Sequence, residues 1–89
     1  MTKRHYTKLP AITGKQLIRL FEQDSWEVGK HATHGLSMTK RFGDRTKVVF
    51  VPDKAESLPT GTLLQIIGPK QAGLGKKGLL RLITKHGLK

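Results

Sequence analysis

The chain has 89 residues, with 17 lysines and arginines against six aspartates and glutamates, a formal net charge of +11. That length supports one domain with a modest core, and the charge favours a polyanionic partner whose affinity falls steeply with salt. The lack of cysteine excludes disulfides and thiolate metal sites, no apolar run approaches a membrane span, and the basic N-terminus lacks the apolar run of a secretory signal, so a soluble cytoplasmic protein is expected.

The first eight residues carry charge without periodicity, and residues 1–11 read as a flexible basic arm ahead of a single domain over 12–89. Thr13 followed by Gln16 matches a capping box, with Ile12 placed to staple onto Leu17. Leu17, Ile18, Leu20 and Phe21 supply the apolar face of a helix, which Asp24-Ser25 is expected to end. Trp26 and Val28 alternate with Glu27 and Gly29 in a strand rhythm that Leu36 and Met38 repeat. Lys47-Val48-Val49-Phe50-Val51 is rich in β-branched residues and reads as a third strand. Phe42-Gly43-Asp44-Arg45 is the turn before it.

Pro52-Asp53 stops that strand, and a polar connection is expected to run to Pro59. Thr60 or Thr62 opens a second helix containing Leu63, Leu64, Ile66 and Ile67, interrupted at Gly68-Pro69 by a kink or by division into two short helices, because proline lacks an amide donor and clashes with the preceding turn. After a junction at Gly73-Leu74-Gly75, Leu79, Leu80, Leu82 and Ile83 form one face of a final helix. The fold class is α+β: a helix, a three-stranded antiparallel sheet with one face against the helices, and C-terminal helices.

Chemistry centres on Lys30-His31-Ala32-Thr33-His34-Gly35, read as a tight turn between the first two strands. A histidine beside cations can approach an RNA phosphodiester without a metal. Neutral His34 would accept the 2′-hydroxyl proton as oxygen attacks phosphorus; protonated His34 would instead stabilise or protonate a phosphate oxygen. A reference pKa near 6.5 suits either role. The plainer reading is a histidine that only hydrogen-bonds across the turn. Thr33 fixes the turn through its hydroxyl, and His31 is a candidate second acid or base.

Lys30 and Lys40 are candidate flankers of His34, and Arg41, Arg45 and Lys47 are candidate contacts to adjacent phosphates, each weighed against a solvated surface charge. Trp26 is a core anchor, and Tyr6 could stack on RNA if the arm were ordered. No cofactor is expected. His31 and His34 are an isolated pair with few carboxylates nearby, and neither Gly14-Lys15 nor Gly75-Lys76 has P-loop spacing.

Several segments, taken in order, resemble the HicA family of toxins from bacterial toxin–antitoxin systems. Thr13-Gly14-Lys15-Gln16-Leu17-Ile18 is similar to the opening of that family's first helix, and Ala32-Thr33-His34 falls on its catalytic histidine motif. Gly61-Thr62-Leu63 and Gln71-Ala72-Gly73-Leu74 are similar to its segments around the helix after the sheet. The likeness runs roughly from Ile12 to Leu74. Ala32 stands where glycine is usual, Gly35 where a second histidine is frequent, and Gly68-Pro69 is an apparent insertion.

The resemblance implies a small double-stranded-RNA-binding-like fold and a metal-independent endoribonuclease, an mRNA interferase that cleaves RNA through His34 and arrests translation. It implies single-stranded RNA or mRNA as substrate, and a cognate HicB-like antitoxin that covers the active surface; the small apolar faces, consumed internally, favour a monomeric toxin. The competing readings are a non-catalytic RNA-binding module and an interaction protein with an acidic partner.

Overall fold

The computed structural model describes residues 10–32 and 35–88, so the expected arm lies almost wholly outside the described residues. The order is α1 (Gly14–Gln23), β1 (Glu27–Ala32), β2 (Gly35–Phe42), β3 (Arg45–Val51), α2 (Thr60–Ile67) and α3 (Gly75–His86). This is the expected α+β arrangement. The strands form one antiparallel sheet in the order β1-β2-β3.

The capping box forms in full: the Gln16 N–H donates to Thr13 Oγ1 at 3.0 Å, and the Thr13 N–H donates to Gln16 Oε1 at 3.0 Å. Two of the helix's orphan donors or their neighbours are thereby satisfied. Ile12 and Leu17 both lie in the core. Asp24 caps the other end, and Ser25 takes a left-handed φ of 70° that turns the chain. Trp26 then sits 3% exposed against Phe21, with ring centroids 5.1 Å apart.

One face of the sheet meets the helices through Leu36 and Met38 of β2 and their cross-strand partners Val51 and Val49. Gly43 opens the β2–β3 turn with φ 65°, a conformation in which glycine carries no side-chain penalty. Leu63, Ile66 and Ile67 of α2 and Leu79, Leu82 and Ile83 of α3 complete a single core with Leu17, Leu20 and Phe21.

Two expectations need correction. The even alternation proposed for β1 fails at Val28, which is 49% exposed. β1 is an edge strand, and its register with β2 shifts between Val28 and His31, so Gly29 and Lys30 together oppose Ser37. The Ser37 hydroxyl holds this bulge, accepting from the Lys30 N–H at 3.0 Å and donating to the Lys30 carbonyl at 3.1 Å. A Cβ on Gly29 would strike the Ser37 oxygen.

The connection after β3 is also more than a polar linker. The Leu58 N–H donates to the Ile12 carbonyl at 2.8 Å, the Lys15 N–H donates to the Lys54 carbonyl at 3.0 Å, and Ser57 bridges to Thr13. Leu58 itself is buried. Gly14 permits this approach, because a Cβ there would collide with the Pro52 carbonyl oxygen. Further on, α2 starts at Thr60 and stops at Ile67, so Gly68-Pro69 ends the helix rather than kinking it.

Candidate functional site

Thr33 and His34, the turn residue and the catalytic candidate, lie outside the described residues. Their frame is described. Ala32 pairs with Gly35 and His31 with Leu36, so the last paired positions of β1 and β2 enclose two residues of sequence. Lys30 and His31 are exposed beside this connection.

That end of the sheet is packed closely against the segment after β3. A Cβ on Gly35 would strike the Val51 carbonyl oxygen and lie 2.8 Å from the Pro52 nitrogen, and Gly35 adopts φ 126°. Residues 52–54 in turn lie on the first turn of α1. A shallow cavity of about 180 Å³ opens here, lined by Lys15, Ile18, Arg19, Glu22, Leu36 and Asp53. Lys15 Nζ lies 3.1 Å from Asp53 Oδ1, with the two side chains 56% and 32% exposed. An ion pair that open to water contributes well under about 1 kcal/mol. Its more useful effect is orientation: Asp53 holds the Lys15 ammonium on the rim of this cavity, which Leu36 also lines.

The other sequence candidates occupy the opposite end of the β2–β3 hairpin. Lys40 pairs with Lys47, Arg41 with Thr46, and Phe42 with Arg45. At about 3.4 Å per residue, Lys40 is roughly 17 Å along β2 from Gly35. Lys40 therefore lies at the end of β2 away from the β1–β2 connection. Its ammonium donates to the Asp24 carbonyl at 2.7 Å and lies 3.3 Å from Asp24 Oδ2, which ties it to the end of α1. Lys40 and Lys47 also lie over the Phe42 ring, 5.3 and 5.4 Å from its centroid. Arg41 and Arg45 are exposed at this far end. The structure thus separates the five cationic candidates into Lys30 near the β1–β2 connection and the other four at the hairpin tip.

No known protein family, curated protein or solved structure matches this chain.

The cations that the fold brings to the β1–β2 end, beside Lys30, are Lys15 and Arg19. The sequence reading assigned neither a phosphate-contacting role, although their spacing of four puts them on one face of α1. What was missing was the path of residues 52–54, which seats that face beside Leu36. Two carboxylates, Glu22 and Asp53, share the rim. The local field is mixed, and a phosphate would be held by individual cations rather than by a uniform basic patch.

Among the described residues no group of three His, Cys, Asp or Glu side chains is placed to hold a metal ion, and no helix is long and apolar enough to cross a membrane.

Proposed function

We propose that this protein is a metal-independent endoribonuclease of the mRNA interferase type, with His34 as its catalytic residue. The observation that carries the reading is the Ala32–Gly35 pairing, which puts exposed Lys30 and His31 at the strand ends that adjoin Thr33-His34 in sequence. The order of the HicA-like segments adds support. The Thr13-Gly14-Lys15-Gln16 segment caps and opens α1, Gly61-Thr62-Leu63 falls in the first turn of α2, and Gln71 ties the segment after α2 back to β3.

The chemistry uses the nucleophile that RNA carries. His34 takes the proton of the 2′-hydroxyl as the 2′-oxygen forms a bond to phosphorus. The bond from phosphorus to the 5′-oxygen breaks, and that oxygen receives a proton from an acid, either His31 or water. A 2′,3′-cyclic phosphate and a 5′-hydroxyl result. Charge that builds on the non-bridging oxygens is met by nearby cations, for which Lys30 and Lys15 are best placed. Thr33 supports the turn. The hairpin-tip cations Arg41, Arg45 and Lys47 serve as remote phosphate contacts. A cognate HicB-like antitoxin in the cytoplasm would hold the monomeric toxin inactive.

The test is incubation of the purified protein with unstructured RNA in EDTA, beside His34→Ala, with identification of the product termini. Cyclic-phosphate ends produced by the wild type and not by the variant support the assignment. Equal cleavage by a folded His34→Ala protein overturns the role of His34. Salt-dependent binding by both proteins with no cleavage of a varied RNA panel favours a non-catalytic RNA-binding module instead.

A further inference from the structure

The two edges of the sheet are built differently. β1 is interrupted by its bulge at Gly29 and Lys30, a feature that discourages another strand from pairing there. β3 has no bulge: it pairs with β2 in unbroken register from Leu36–Val51 to Phe42–Arg45. The Phe50 N–H turns away from β2 and donates to Gln71 Oε1 at 3.1 Å. Antiparallel residues alternate between bonding the partner strand and pointing outward. Val48 and Thr46, in phase with Phe50, therefore present their N–H and C=O groups to the open edge.

Two side chains along that edge are large, apolar and exposed. Val48 is 38% exposed and Phe50 42% exposed on the sheet face away from the core. Past Gln71, Leu64 is 45% exposed and helps line a cavity of about 400 Å³ with Pro69 and Lys70. Arg45 flanks the Thr46 end of the edge, and no ion pair among the described residues engages it.

We propose that the β3 edge is a docking strand for a partner protein, which adds an extended segment alternating apolar and acidic residues. A polypeptide strand supplies both the donors and the acceptors that Thr46 and Val48 require, whereas RNA phosphates only accept. Apolar residues of the added strand cover Val48 and Phe50 on one face, and its carboxylates, on the other face, meet Arg45 and Lys70. A second copy of this chain is disfavoured as the occupant, because pairing would bring together two chains of net charge +11. The proposal uses neither Thr33 nor His34; it shares Arg45 with the remote phosphate contacts of the ribonuclease reading, so a partner strand and RNA compete at that residue.

The experiment is amide hydrogen exchange on the full chain with a capped seven-residue peptide alternating valine and glutamate, the length of β3. The control peptide has the same composition with the valines and glutamates in separate blocks. The alternating peptide is expected to slow exchange at Thr46 and Val48 by about tenfold or more, while the block peptide leaves both unchanged. Val48→Pro removes one outward donor without touching the ladder to β2 and should weaken peptide binding about tenfold. Should that variant fail to fold, Phe50→Asp, which removes an apolar contact and repels the glutamates, is expected to weaken binding to the same extent. Equal protection by the block peptide, no protection at Thr46 and Val48, or stronger protection of these amides by an RNA oligonucleotide overturns the proposal.

Discussion

The Lys40 ammonium is bound to Asp24 twice, at 2.7 Å to its carbonyl and 3.3 Å to its carboxylate. Asp24 is the C-cap of α1 and Lys40 lies toward the end of β2, so the pair fastens the hairpin tip to the helix end. The carbonyl it satisfies is that of the C-cap, at a helix end where acceptors have no intrahelical donor. A lysine so held has a structural role that competes with any contact to phosphate.

Lys40→Met should lower stability by about 1 kcal/mol, since the pair is only partly buried and the alkyl stem is retained. Urea denaturation measures the loss. RNA affinity should fall less for Lys40→Met than for Lys30→Ala, and a larger loss at Lys40 would return it to the RNA surface.

Gly14→Ala places a methyl group against the Pro52 carbonyl and must displace the connection after β3. A loss of about 2 kcal/mol or more is expected. Gly61→Ala is the matched control, because a Cβ there meets nothing within 4 Å in the first turn of α2. It should be neutral or stabilising by roughly 0.5 kcal/mol. Thermal unfolding of the two variants side by side gives the comparison.

Cleavage, if it occurs at the β1–β2 end, should depend on the cations of that end. Lys15→Ala and Lys30→Ala are each expected to reduce the cleavage rate by about tenfold, a loss of roughly 1.4 kcal/mol from the transition state. Arg41→Ala and Arg45→Ala should mainly weaken RNA binding and reduce its salt dependence, by about one phosphate contact each. Single-turnover rates at saturating RNA separate the two classes. Equal rate losses at both ends would reject the spatial division.

The helices were legible in the sequence because their signals are local. Thr13 and Gln16 specify one helix start through bonds three residues apart, and Gly68-Pro69 specifies a stop through missing helix-forming chemistry. The third strand was equally plain from its β-branched run. What escaped was set by distant partners. Val28 looked like a core position until the Ser37 hydroxyl and the glycine at 29 are seen to make a bulge. Leu58 looked like part of a polar linker because its partner, Ile12, is 46 residues earlier. Lys40 looked like a neighbour of His34 by number, and strand direction carries it to the other end of the sheet.

Leu58→Ala tests how much that overlooked contact matters. Loss of a buried leucine should cost about 2 kcal/mol or more, well above the expected change for the exposed Leu64→Ala. Guanidinium denaturation of both variants checks the ranking, and equal effects would deny Leu58 a place in the core.

Trp26, the chain's single tryptophan, packs against Phe21 at the end of α1 and against Phe42 at the end of β2, with centroids 5.1 and 6.1 Å away. Its indole N–H also donates to Asp24 Oδ2 at 3.3 Å. An intrinsic optical reporter is thereby seated in the joint between helix and hairpin. Indole emission follows the opening of that joint, while far-ultraviolet circular dichroism follows the helices. Coincident curves would mean that the joint and the helices melt as one cooperative unit. An earlier red shift in emission would mean that the hairpin tip peels from the helix before the rest of the chain unfolds.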